Sequence, residues 1–436
     1  MKPSSALRGA LRPGVTGRDV FAWAMYDFAN SGYTTVVITA LFNAYFVASV
    51  AARAPWATLA WTLALSASYL LVIMTAPLLG AWADLHAAKK RLLFWSTAGC
   101  VLFTALLSFA RPETLLFTLL CLVLSNFCFG VGENVIAAFL PELAKPRGMG
   151  RVSGWGWGWG YVGGLIALAL CLAYIGWAEE EGLAATHYVP VSMLIVAAFF
   201  LLASLPTLLW LPERATPQEG KQTAREAWRE VKATLAAASR FPDLFRFLLA
   251  FLAYQAGVNT VIALAAVYAS EAMGMTTRQI LVLIIVVNVA AALAALGFGH
   301  LQDRLGPLRM LAATLIGWLV ALCLAWLAQG PALFWTAALL IGVCLGAAQT
   351  GGRAVVGLLS PAGKRGEFFG FWGLMAKLSA VLGPPVYGAT VWAAGGDHRQ
   401  ALLHTGLFFL VGLWLLAGVR LSRGHRAALR ADRLGR

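Results

Sequence analysis

The sequence predicts an all-α polytopic membrane protein, with twelve transmembrane helices in two pseudo-symmetric six-helix bundles. Three observations carry that expectation. Of 436 residues, 60% are hydrophobic and only 12% charged, with mean hydropathy +0.76, where a soluble domain carries about 25% charged residues. Apolar runs long enough to cross a bilayer, about 20 residues each, recur along the whole length. A charged stretch divides those runs six and six, and one motif stands in each half.

The first run, 20–50, follows a basic start that has no cleavable signal pattern. Runs at 58–82, 92–110 and 113–140 come next. The fifth, 155–177, opens inside GWGWGWGYVGG (154–164). Period two is strand spacing, but hydrocarbon leaves an open strand edge without partners, so a strand among helices is excluded. On a helix, Gly156, Gly160 and Gly164 make one ridge with Gly163 beside it, Gly154 and Gly158 a second small patch, and Trp155 and Trp159 share another face. Small residues four apart let helix backbones approach closely, so this helix is expected to pack tightly. The run 188–211 completes the first half, placing a domain at 1–211.

Residues 212–243 are charged and bounded by prolines, and read as a linker. Within them Trp228, Val231 and Leu235 share one helical face among bases, as in a helix lying on a membrane surface or a solvated connector. The second domain, 244–436, holds runs at 245–270, 279–299, 308–328, 331–352, 367–394 and 400–420, then a basic tail.

The formal net charge of +14 is topological here, not a nucleic-acid footprint. Of the 33 Lys and Arg, Arg53, Arg111, Arg278 and Arg399 alone fall in loops of one side; Arg353 and Lys377 lie within runs, and the rest share the other side. The positive-inside rule then places both termini in the cytoplasm; the expected location is a bacterial inner membrane. The six cysteines all lie inside apolar runs without a CxxC, and read as small buried hydrophobes rather than a disulfide frame or metal site.

GAWADLHAAKKR (80–91) and GHLQDRLGPLR (299–309) both place Gly four residues before Asp with bases shortly after. The same interval carries Glu133 next to Arg353 and Pro141 next to Pro361. Parallel six-helix repeats are a recurrent transporter plan, with the site between the halves at mid-membrane. The 299–309 stretch resembles the loop signature of the major facilitator superfamily, of which 80–91 is a degraded copy lacking the later glycine. WAMYDFANSGYTTVVITALF (23–42), FLPELA (139–144), GWGYVGG (158–164) and GEFFGFWGLMAKLSAVLGP (366–384) are similar to the vacuole-effluxer branch, whose fungal members export amino acids from the vacuole during autophagy. The resemblance implies the major facilitator fold, with helices one, four, seven, ten and eleven bordering a cavity. It also implies that Gly80, Asp84, Gly299, Asp303 and Arg304 pin helix ends and gate. Glu133 departs from the branch, where a neutral residue is expected before Asn134.

A charge at membrane depth needs a partner or a wet cavity. Asp27 and Glu133 belong to the first half, Arg353 and Lys377 to the second. Opposite charges sorted this way could lock one state of an alternating-access cycle, or hold the two ends of a zwitterion, or serve as a structural pair. Glu133 could load and release a proton. Asn30 on the first helix, Asn126 and Asn134 on the fourth, Tyr254, Gln255 and Asn259 on the seventh, Asn288 on the eighth and Gln349 on the tenth supply neutral polar groups. The expectation is a secondary active transporter, working as a monomer in the lipid bilayer on a small polar, zwitterionic metabolite such as an amino acid. The alternative is an exporter of drugs or lysolipids. There is no GxxxxGK[ST] for ATP, and the histidines are scattered, so an enzyme, a catalytic residue, a metal or another cofactor is not expected. Buried complementary charges in two repeats speak against a channel.

Overall fold

A computed structural model describes residues 11–145, 149–214, 241–360 and 365–434. Each predicted run is helical: α1 (Gly17–Tyr33, continuing in wider turns to Val50), α2 (Ala57–Leu85), α3 (Lys89–Leu106), α4 (Leu115–Leu143), α5 (Met149–Glu180), α6 (Ala185–Trp210), α7 (Pro242–Glu271), α8 (Thr277–Leu305), α9 (Pro307–Leu327), α10 (Pro331–Leu359), α11 (Arg365–Ala393) and α12 (His398–Ala417). Eleven are long and apolar enough to cross a membrane, and α11 is the twelfth long helix. A short helix absent from the sequence reading, α13 (Leu421–Leu434), follows. Among the described residues the one β-type pairing is a bridge between Leu11 and Ala144.

The helices run past the apolar windows that announced them; α5 begins at Met149 and α10 persists to Leu359. Hydropathy marks the stretch that must be dry, whereas the backbone ladder continues until a cap or breaker ends it. The first helix departs from regularity where Thr34–Thr39 are all β-branched. There the chain adopts wider i→i+5 turns over Thr34–Ala40, closed by the Leu41 N–H on the Val36 carbonyl (2.9 Å), and again over Phe46–Val50. Branched side chains crowd the preceding turn, which a wider turn relieves.

By contacts the chain divides into two compact units, Met1–Arg53 with Ala67–Ala227, and Ala54–Ser66 with Trp228–Arg436. Within the first, α1 packs on α5 and α6, and α3 on α4 and α6; within the second, α7 packs on α11 and α12, and α9 on α10 and α12. The same neighbours therefore recur half by half. The linker residues 215–240, with Trp228, Val231 and Leu235, lie outside the described residues.

The cysteines are free thiols, as expected. Burial holds for Cys100, Cys121, Cys171 and Cys344, but Cys128 is half-buried and Cys323 is exposed. Cys323 lies on an outward face of α9, where a small apolar thiol costs nothing against lipid.

Candidate functional site

The glycine ridge of α5 lies on α1. A Cβ added at Gly163 would collide with the Phe28 carbonyl; at Gly160 it would stand 2.9 Å from Ser31 Oγ, and at Gly164 2.9 Å from Thr35 Oγ1. At Gly156 it would meet the Asp27 Oδ2 at 2.5 Å and the Trp23 ring at 2.6 Å. The acid of α1 thus sits over a helix surface cleared by a missing side chain. Gly158 instead faces open space, so the second expected glycine patch is not a packing seam at that position; the side chain position of Gly154 lies outside the described residues. Trp159 meets Phe21 edge-on (5.9 Å) and Trp155 (5.8 Å), as packing residues do.

The opposite flank of α1 is tied to α3 and α4. Trp23 Nε1 donates to the Ile136 carbonyl (2.9 Å), Tyr26 shares a hydrogen bond with Thr97 (3.0 Å), and Tyr33 one with Ser125 (2.9 Å). Fixed on both sides, α1 holds Asp27 one residue beyond Tyr26, whose hydroxyl lies against Gly132, the neighbour of Glu133 on α4. Both acids and Asn134 are half-buried. Asn30 is 6% exposed, and its Oδ1 has no hydrogen-bond partner among the described residues. Asn126 is fully buried and donates to Ser68 Oγ of α2 (2.6 Å), which makes it interhelical glue.

In the second unit, Asn259 Nδ2 of α7 donates to Ser379 Oγ of α11 (2.9 Å), and Gln255 Nε2 reaches Asn259 Oδ1 at 3.4 Å. Lys377 lies half-buried two residues before Ser379. Tyr254 is fully buried and its hydroxyl lacks a partner among the described residues. Its neighbour Phe251 packs on Trp372 (5.1 Å). Asn288 donates to the Ile284 carbonyl of its own helix (2.8 Å), and among the described residues this is its side chain's hydrogen bond. The side chains of Gln349 and Arg353 on α10 lie outside the described residues.

Of the expected gating loop, Gly80 is exposed with open space around it. The side chains of Asp84, Asp303 and Arg304, and the surroundings of Gly299, lie outside the described residues. Both copies nevertheless take a positive φ at the corresponding position. Gly306 has φ +84°, and Ala87, which stands where the degraded copy lacks its glycine, has φ +48°.

Sequence reasoning missed two clasps. Asp19 caps α1, accepting from the Thr16 N–H (2.8 Å), and pairs with Arg214 after α6 (2.8 Å). Asp243 in the first turn of α7 takes both forks of Arg423 (2.7 and 2.8 Å) and the Arg420 N–H (2.9 Å). Each is an acid in the first turn of a half's first helix met by an arginine after its last. Among the described residues no group of His, Cys, Asp and Glu could hold a metal ion.

Solved structures share this architecture. The nucleoside transporter NupG aligns with TM-score 0.70 at 14% identity, covering 92% of this chain and 98% of the other. A bacterial homologue of the human lysosomal transporter Spinster, inward-facing and unoccupied, aligns with TM-score 0.68 at 15% identity, covering 94% and 97%. The fold is that of the major facilitator superfamily, and the chain is a multi-pass membrane transporter rather than an enzyme. It belongs to the family described as vacuole effluxer Atg22 like, which matches residues 57–429. An uncharacterized MFS-type transporter of Bacillus subtilis, YxiO, is 28% identical over 405 residues, 91% of this chain and 94% of the relative. Autophagy-related protein 22 of Kluyveromyces lactis is 24% identical over 82% of this chain and 78% of its own. The chain spans about half, 54%, of autophagy-related protein 22-1 of Aspergillus fumigatus, at 24% identity.

Proposed function

We propose that this transporter moves a small zwitterionic metabolite, an amino acid or a close analogue, by alternating access driven by a proton gradient, working as a monomer in a bacterial inner membrane with both termini cytoplasmic. The observation that carries the reading is the placement of two acids at membrane depth, Asp27 set against Gly156 and Glu133 beside Gly132, on which the hydroxyl of Tyr26 rests. An acid at membrane depth calls for a cationic partner or a wet cavity, which suits a proton or the ammonium group of a substrate. The amino group of the substrate and a proton compete for these acids.

Two buried polar atoms strengthen the reading. An unpartnered buried acceptor or hydroxyl costs about 1–3 kcal/mol, and Asn30 Oδ1 and Tyr254 Oη are both in that condition among the described residues. Substrate hydrogen bonds would remove that cost. Membership of the vacuole effluxer family points to amino acids as the first compounds to test.

The test is counterflow of radiolabelled amino acids into proteoliposomes under an imposed pH gradient. Saturable uptake that responds to the gradient, with the gradient response lost in Glu133→Gln, is the expected outcome. Gradient-dependent uptake that is unchanged in Glu133→Gln would refute the coupling role.

A second reading, export of drugs or lysolipids, draws on an apolar cavity of about 70 Å³ in the second unit, lined by Leu264, Tyr268, Ile284, Phe334 and Tyr387 among others. Thermal stabilisation by lysolipids but by no amino acid would favour it, since a ligand stabilises the fold it binds.

A further inference from the structure

The corner between α2 and α3 holds an open groove of about 680 Å³ that the transport reading does not use. Trp82, His86, Lys90, Arg91, Phe94 and Glu213 line it. Its walls are apolar and outward-facing: Trp82 is 38% exposed and Phe94 49%, with Trp95 beside them at 63%. The His86 ring leans on Trp82 (5.3 Å) and its Nδ1 lies 2.9 Å from the Trp82 carbonyl, so the imidazole is held at the rim.

The charges in and around the groove are unevenly committed. Lys89 is paired with Glu142 (2.8 Å), outside the groove. Glu213, the one acid lining it, accepts from the Lys90 backbone N–H (2.7 Å). Among the described residues neither the Lys90 ammonium nor the Arg91 guanidinium is in an ion pair with a carboxylate. The groove therefore presents two cations and an imidazole above aromatic walls, at the end of a membrane-spanning helix. Exposed aromatics at that level suit the headgroup region, and bases there attract anionic lipid.

We propose that this groove binds one anionic phospholipid, its phosphate on Lys90 and Arg91 and the upper acyl chain against Trp82 and Phe94. A free phosphate would use the cations but leave the aromatic walls idle. Glu213 sets the preference for a single negative charge by opposing more highly charged headgroups.

The experiment is native mass spectrometry of the full, delipidated chain in detergent, titrated with phosphatidylglycerol and, separately, phosphatidylcholine. One phosphatidylglycerol should be held more tightly than any phosphatidylcholine, and Lys90→Gln with Arg91→Gln should weaken it roughly tenfold while sparing phosphatidylcholine. Arg91→Glu alone, at an exposed position, should abolish the preference even if the double variant folds poorly. Retention equal to the parent protein in either variant would overturn the site. Displacement by millimolar glycerol phosphate would overturn the lipid as its source, and weakened binding in Phe94→Ser would support it.

Discussion

The first helix of each half packs on the fifth helix of the same half, yet the two seams are built differently. In the first unit α5 brings a ridge of glycines to α1, and the seam encloses an acid, Asp27, whose carboxylate lies over Gly156. In the second, α11 brings one close glycine, Gly383, whose added Cβ would strike the Ala256 carbonyl, and the nearby polar link is neutral, Asn259 to Ser379. Tyr254 gains its room from the other side, where a Cβ on Gly412 of α12 would stand 2.9 Å from its own. One repeat has thus been specialised to bury negative charge and the other to hold hydrogen-bonding groups. Close approach of backbones is common to both; the chemistry carried in the seam is not.

Filling the seams breaks the comparison most directly. Gly163→Ala and Gly383→Ala should each cost about 3 kcal/mol or more, because the obstacle is a backbone carbonyl that cannot rotate away. Gly158→Ala, in open space, is the control. Equal melting temperatures for Gly163→Ala and Gly158→Ala would show that the ridge is not a packing device.

Changing the chemistry at constant shape sharpens it. Asp27→Asn should cut transport by roughly a hundredfold, since a charge-assisted contact is lost with its proton site, at little cost in stability. Asn259→Ala should cost only about 1 kcal/mol, a few-fold in rate, for a lost neutral hydrogen bond. Comparable losses in vesicle uptake for the two variants would erase the distinction between the halves.

The clasps rank next. Asp243, 3% exposed and holding three hydrogen bonds, should lose about 2 kcal/mol on mutation to Ala. Asp19, 8% exposed and bound by one arginine nitrogen, should lose about 1 kcal/mol. Denaturation of both variants in the same detergent checks the order.

The smallest effect lies in one loop. Ala87 takes a left-handed backbone conformation that costs a residue with a Cβ about 1 kcal/mol. Ala87→Gly should therefore stabilise by up to about 1 kcal/mol, and Gly306→Ala, at φ +84° and ψ +149° where glycine alone is at ease, should destabilise by about 1–3 kcal/mol. Opposite signs confirm that both copies of the motif turn through a positive φ here; equal signs refute it.

Much of this was legible from residues alone because each signal had one physical meaning. Apolar runs located twelve helices, with ends off by up to seven residues where a helix continued beyond its dry stretch, and the glycines at 156, 160 and 164 pointed to a close seam once strands were excluded. Asp27 and Glu133 stood out because charge is rare at that depth. Other features depend on partners distant in sequence. Asp243 and Arg423 each look like an ordinary helix-end charge until folding joins them, and Asn126 looks like a cavity group until Ser68 appears beside it. The bases of α13 were read for topology, which hid their helical spacing. The wide turns of α1 could have been suspected from six β-branched residues in a row, although that composition also suits a regular buried helix.

Those wide turns have a mechanical consequence. An i→i+5 turn stores one residue more than the α-turn it replaces, and a shift of one residue rotates everything beyond it by about 100°. Tyr45, seated past the first such turn, donates to the Ala110 carbonyl (3.1 Å) and so fixes the dial setting of the far end of the helix. The wide turns between Thr34 and Val50 thus set the angular position of the far end of the helix independently of Asp27, which keeps its register with its glycine.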